Sequence, residues 1–201
     1  MADFNGTGVP MDFERGFTMD FNLNGGLSSV KDTSKRLLSK VKGMFADVKA
    51  ADEYIEKFGD ELVYEFHEMP APDHAGDLAF GSSIVYPGKV GNEYYMTKGH
   101  FHTIIDTAEV YLCISGHGYM MLENPEGDWR CEELFPGKMV YCPKRYAHRS
   151  INVSPTEPLQ TFFVFRADAG HDYGTIEEKG YRKLLVEVNG EPTIIDNPKW
   201  K

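Results

Sequence analysis

Residues 61–123 contain five short runs: ELVYEFHEM (61–69), AFGSSIVYP (79–87), EYYMTKGHFH (93–102), AEVYLCI (108–114) and HGYMMLE (117–123). Five more follow: DWRCEELF (128–135), KMVYCP (138–143), HRSINV (148–153), LQTFFVF (159–165) and KLLVEV (183–188). Val, Ile, Tyr and Phe dominate them. The turn clusters PGKVGN, SGHG, NPEGD, FPGK, CPKR and NVSPTEP separate them. Short strands at regular spacing with Gly and Pro punctuation predict a mainly β fold, an antiparallel sandwich or closed barrel. Asn189-Gly190 within LLVEVNGEPTII predicts a terminal hairpin.

Upstream of residue 61 the apolar period changes from two to 3.6. Val30, Leu37, Leu38, Val41 and Phe45 keep near one face of a helix over 29–45, opened by the capping box Ser29-x-x-Asp32. Val48, Ala51, Tyr54, Ile55 and Phe58 repeat the pattern over 47–58, with Asp47 as cap and Gly59 as stop. Residues 1–27 have no helical period. Phe13, Phe17 and Phe21 there read as an arm that buries against a partner subunit or the chain's own barrel. The expected organisation is one structural domain, with residues 1–60 an arm and two helices packed on a barrel of residues 61–201.

With 201 residues, 41% hydrophobic and 26% charged, the chain can bury a core without staples. Its 21 Lys and Arg against 31 Asp and Glu leave a net charge of −10, against non-specific nucleic-acid or anionic-membrane binding. Cys113, Cys131 and Cys142 are odd in number and lack CxxC spacing, so neither a disulfide framework nor a structural zinc module is expected. The first residues have no basic and apolar leader pattern, and no apolar run is long enough to span a bilayer. The expectation is a cytoplasmic protein without membrane contact.

Chemistry concentrates in KGHFH (98–102). On a strand, His100 and His102 point to one side and Phe101 to the other. In the next run Glu109, Tyr111 and Cys113 share a face, opposite the apolar Val110, Leu112 and Ile114. His148 opens a later strand. Three imidazoles and a carboxylate suit a divalent first-row metal, with coordination positions left for substrate. HxH alone could equally be hydrogen-bonded strand histidines. The wider spacing resembles the two cupin motifs: HxH, Glu109 and Gly116, then Gly137, Pro143, His148 and Asn152. Arg145 stands where the second motif has Gly, and the gap from HxH to Glu109 is longer than usual. Cys113 reads as a core residue, His117 as a solvated turn residue, His67 and His74 as exposed, and Lys98 as a solvated rim residue. For His171 a turn contact competes with a binding role.

The words YPGKVGNEYYMTKGHFH, AEVYLCISGHG, AHRSIN, ADAGHDYGTI and the terminal DNPKW together resemble the cupin-type, archaeal-type glucose-6-phosphate isomerase family over residues 12–200. The resemblance implies a cupin barrel (jelly roll), a homodimer, and interconversion of glucose 6-phosphate and fructose 6-phosphate in glycolysis and gluconeogenesis. It also implies one divalent metal ion per subunit, Fe²⁺ first, with Mn²⁺, Ni²⁺ or Zn²⁺ as alternatives. The metal ligands carry over to His100, His102, Glu109 and His148. A cis-enediolate route needs a Lewis acid and a base beside C1 and C2, with Glu109 as that catalytic base; a metal-assisted hydride shift would use the same residues. Substrate contacts carry over to Thr97, Gly99, His171 and Tyr173, and Tyr64 fits. Ser83 stands where the family has Thr, and Phe165-Arg166 where it has Tyr-Pro. Tyr111 is an inward phenol that could equally be core or a donor beside the site, and it is counted with the substrate set. Neutral donors can bind a phosphate without a basic patch, which reconciles an anionic substrate with the acidic chain. An iron-dependent cupin dioxygenase would use a similar site but consume O₂, and a non-catalytic sugar-binding cupin would lose no reaction with its metal.

Overall fold

Each of the ten runs contains a paired strand in the computed structural model, which describes residues 11–26, 33–69 and 71–200. The strands, paired antiparallel throughout, are β1 (Ser34–Leu37), β2 (Leu62–Glu68), β3 (Leu78–Val85), β4 (Lys89–Val90), β5 (Glu93–Tyr94), β6 (Glu109–Ser115), β7 (Gly118–Glu123), β8 (Trp129–Leu134), β9 (Met139–Cys142), β10 (Ala147–Asn152), β11 (Leu159–Arg166), β12 (Lys183–Val188) and β13 (Glu191–Asp196). A six-stranded sheet has the order β1-β2-β3-β11-β6-β9. A three-stranded sheet has the order β10-β7-β8, and a four-stranded one β13-β12-β5-β4. This is the mainly β, antiparallel arrangement the punctuation predicts, in the cupin-like form the resemblance implies.

The terminal hairpin pairs Val188 with Glu191 around Asn189 and Gly190, which have φ of 54° and 85°. Two consecutive positive φ values give the turn whose twist matches the strands. Helix α2 (Val48–Phe58) opens where expected: the Asp47 carboxylate accepts from the Ala50 N–H at 2.9 Å.

The helix expected over 29–45 is corrected. Ser34–Leu37 is a strand, paired with β2, and only the single turn α1 (Leu38–Val41) and a 3₁₀ turn follow. Pairing with the free edge of β2 satisfies more backbone than a four-residue extension of α1 could, so tertiary context overrides the period. The proposed capping box lies outside the described residues. Of the arm, Phe13 packs edge-to-face on Phe17, and Phe21 on Phe162 of β11. The arm therefore covers part of the six-stranded sheet's outer face. A Cβ at Gly26 would meet Ser82 Oγ at 2.9 Å. His67, expected to be exposed, is buried on that side. It points away from Tyr64, Phe66 and Glu68 and under the layer the arm provides.

The usual polarity of a strand is inverted at β6. Its polar face, Glu109, Tyr111 and Cys113, is buried, and the apolar Val110, Leu112 and Ile114 are half-buried. In register with them lie Phe165 and Cys142 beside Glu109, and Phe163 and Val140 beside Tyr111. The interior of the sandwich is where the carboxylate sits. No helix among the described residues is long and apolar enough to cross a membrane.

Candidate active site

The HxH segment is not a regular strand. Gly99 has a φ of 76°, and His100 and Phe101 make only isolated bridges, to His148 and Asp172. The effect of alternation survives. His100 bridges β10 of the three-stranded sheet, and Glu109 opens β6 of the six-stranded one. The chain thus crosses between the sheets with both imidazoles turned inward. A Cβ at Gly99 would come within 2.5 Å of the Tyr181 hydroxyl, so this crossing needs glycine for both space and backbone angle. Arg145, in place of the motif's Gly, adopts a φ of 73° and donates its N–H to the Ile105 carbonyl at 2.8 Å. The turn before β10 keeps its shape despite the departure.

His100, His102, Glu109 and His148 converge, each offering a ligand atom within 4.8 Å of the others. His102 Nδ1 lies 3.2 Å from the Gly170 carbonyl and His148 Nδ1 3.3 Å from the Tyr146 carbonyl. A carbonyl only accepts, so each Nδ1 holds the hydrogen and each Nε2 presents a lone pair. Those Nε2 atoms face Glu109 Oε2 at 3.2 and 2.8 Å. With no proton between them, Nε2 of the three histidines and Glu109 Oε2 are buried without a hydrogen-bond partner. Four inward lone-pair donors with nothing to share are costly in a low-dielectric interior, and a cation resolves them. The donor set, nitrogen and oxygen only, fits one divalent ion. Burial works to raise the Glu109 carboxyl, and a cation bound among the four donors would hold it ionised. Burial, then His148 and His171, push the His100 imidazole well below its ordinary value, so it too is neutral.

The cluster forms the floor of a cavity partly open to solvent. Tyr64, Ser83, Thr97, Gly99, Tyr111, His171 and Tyr173 line the same cavity as His100, Glu109 and His148. His102 lies behind it. Ser83 Oγ and Thr161 Oγ1 are 2.9 Å apart, and Thr97 Oγ1 accepts from the Ser150 N–H at 3.0 Å, which leaves its own proton to donate. Burial, and then Glu109, hold the Tyr111 phenol well above its ordinary range; burial raises Tyr173 to about 12. Both phenols are proton donors. His171 stands close to the cluster, its ring 4.4 Å from that of His100, and Tyr173 stacks on it at 5.8 Å. Phe165 forms an apolar wall 5.2 Å from His102.

Two residues at this cavity escape a reading of the motifs. Lys98, expected on the rim, is half-buried, 4.9 Å over the Tyr173 ring and paired with Glu177. Glu68 lines the cavity, its Oε2 3.8 Å from His171 Nε2. Tyr64, Phe66 and Glu68 are alternate residues of β2 and share its inner face, a period-two signal that extends from Tyr64. Cys113 and Cys142 are buried free thiols, which burial raises, Cys113 to about 11. His117 pairs with Glu133 at 2.8 Å on the exposed surface.

A family model described as glucose-6-phosphate isomerase matches residues 35–200. A glucose-6-phosphate isomerase of Pyrococcus furiosus is 45% identical over 194 residues, 96% of each chain. That of Thermococcus litoralis has the same identity and coverage. One from Sinorhizobium medicae is 34% identical over 179 residues, 88% of this chain and 83% of that one. A solved oxalate oxidase overlaps 57% of this chain and 56% of its own, with 12% identity and a TM-score of 0.46, too slight a likeness to carry an inference.

Proposed function

The chain belongs to the glucose-6-phosphate isomerase family, and on that premise we propose how its cavity interconverts glucose 6-phosphate and fructose 6-phosphate. The observation that carries the reading is the convergence of His100, His102, Glu109 and His148 as unshared donors on the floor of a cavity ringed by hydroxyls.

These four residues hold one divalent ion, Fe²⁺ first, with Mn²⁺, Ni²⁺ and Zn²⁺ compatible with the same donors. Bound there, the ion supplies Lewis acidity toward the sugar's O1 and O2. Glu109 is the base. In the aldose-to-ketose direction its carboxylate takes the hydrogen of C2 as a proton and returns it to C1, and a proton passes between the two oxygens. Ionised among the four donors, it can take the proton in the first half of that transfer. The protonated phenol of Tyr111 donates to a sugar oxygen. Thr97, Ser83, Tyr64 and the Gly99 N–H are the phosphate donors, with Lys98 as a cation beside them. Tyr173, under Lys98, joins the phosphate donors, and His171 flanks the sugar next to His100. In D₂O, proton transfer through Glu109 leaves solvent deuterium on carbon in the product, whereas a direct C1–C2 hydride shift leaves none.

The deciding experiment is an assay of fructose 6-phosphate formation before and after chelation, with each metal restored in turn. Unchanged turnover by metal-free protein refutes the metal-assisted reading. The assembly proposed is a homodimer, supported by the half-buried apolar outer face of β6 and by Met139 and Tyr141 exposed on β9. Sedimentation at micromolar concentration tests it, and a monomer there refutes it.

A further inference from the structure

Glucose 6-phosphate in water is a closed ring, with C1 bonded to O5. The proton transfer assigned to Glu109 needs the open chain with its carbonyl. Something must open the ring, and Glu109 is already assigned the transfer between C2 and C1.

The cavity contains a second carboxyl. Glu68 stands on the inner face of β2, two residues from Phe66 and four from Tyr64, all three lining the cavity. Its ion-pair neighbour among the described residues is His171, at 3.8 Å, beyond hydrogen-bond reach. His171 in turn contacts His100, with ring centroids 4.4 Å apart. Glu68 therefore lies one ring away from the cluster, on the side where the isomerase reading puts C1 of the sugar.

We propose that Glu68 is the ring-opening residue, relaying a proton between O1 and O5 of the bound pyranose. This rests on the isomerase reading above. In the step, the C1–O5 bond breaks and its electron pair leaves on O5, while the O1–H bond breaks and C1 becomes the carbonyl. A protonated carboxyl serves both ends: one oxygen gives its proton to O5 as the other takes the proton of O1. Glu68 finishes as it began, with the proton on the opposite oxygen and no change of charge. Burial, the larger cause, and then the charge of Glu109 raise its carboxyl, to about 7 in the metal-free chain, which favours the acid form. Burial lowers His171 to about 4, so it stays neutral and does not lock Glu68 as a carboxylate in an ion pair.

The test uses 2-deoxyglucose 6-phosphate, which lacks the C2 hydroxyl and so can open and close but cannot become a ketose. Exchange between its two anomers is followed by NMR with the metal-loaded protein. Wild type should accelerate exchange at least tenfold over buffer. Glu68→Gln should return it to the buffer rate with metal content unchanged, and Glu68→Asp should recover part of it. Wild-type exchange no faster than buffer overturns the proposal, as does Glu68→Gln exchanging like wild type. Fructose 6-phosphate formation is measured on the same wild-type preparation. Its absence is the failure of the isomerase reading itself, whereas intact isomerisation without exchange overturns only the role of Glu68.

Discussion

His148, Glu109 and Tyr173 line one cavity but should fail differently when altered. His148→Ala removes a ligand and should empty the metal site and abolish almost all turnover, since Lewis-acid stabilisation is worth several kcal/mol. Glu109→Gln keeps the shape and one oxygen; it should retain metal while turnover falls by about 10²-fold or more. Tyr173→Phe should leave metal in place and raise KM, by about 1–3 kcal/mol of lost binding to a charged phosphate. Metal content measured beside kinetics checks all three, and a Tyr173→Phe protein without metal contradicts the assignment. Glu68 gives a pH signature. Its carboxyl titrates at about 7 when folded against an ordinary 4.5. The folded chain therefore holds more protons than the unfolded between those values, and stability falls as pH rises through that window. In metal-free protein, Glu68→Gln should gain on wild type at about pH 8 and show little difference at about pH 4, measured by urea midpoints. The four donors and the hydroxyls were legible because spacing and family words mark them. Glu68 and Lys98 were not: Glu68 sits in no motif, and Lys98, though part of TKGHFH, looks like any solvated rim residue until its chain is seen over Tyr173.

Elements with local signals were readable, and those fixed by distant partners were not. Helix α2 carries its apolar stripe, its cap and its stop within thirteen residues, 47–59, and formed as read. Removing the cap isolates that signal: Asp47→Ala should cost about 1 kcal/mol in unfolding free energy, with activity unchanged. A loss well under half of that in a denaturant titration would mean that packing of Tyr54 and Ala51 alone sets the helix. β1 has no such autonomy. Ser34–Leu37 is a strand because β2 offers an edge twenty-five residues and more downstream, and nothing local distinguishes it from another helical turn. The HxH crossing is intermediate. Its inward pair was predicted from strand alternation, yet it arises from an irregular path through Gly99 that bridges two sheets.

At the scale of the whole molecule, the four donors come from both sheets and the crossing between them, so an ion held there ties the sandwich together. Binding to the folded form alone stabilises by about 3 kcal/mol at a hundredfold excess over Kd. Chelation should therefore lower the melting temperature by about 6–12 °C for a chain of this size, read by calorimetry with and without restored metal. An unchanged melt would place the ion outside this cluster. The fold class was legible from punctuation, and the spacing of Phe13, Phe17 and Phe21 marked an arm that buries; which surface it covers was not legible, because contact between Phe21 and Phe162 is a fact of docking. The terminal hairpin has a slower consequence. Asn189 is followed by a glycine, with no side chain to shield the next backbone nitrogen from the amide. In an exposed turn this is the pairing most open to chemical ageing. Deamidation there converts the amide to a carboxylate, so a stored preparation should split into charge isoforms. The newer band should be one unit more acidic than the −10 of the fresh chain. Asn189→Asp, made deliberately, should comigrate with that band on isoelectric focusing.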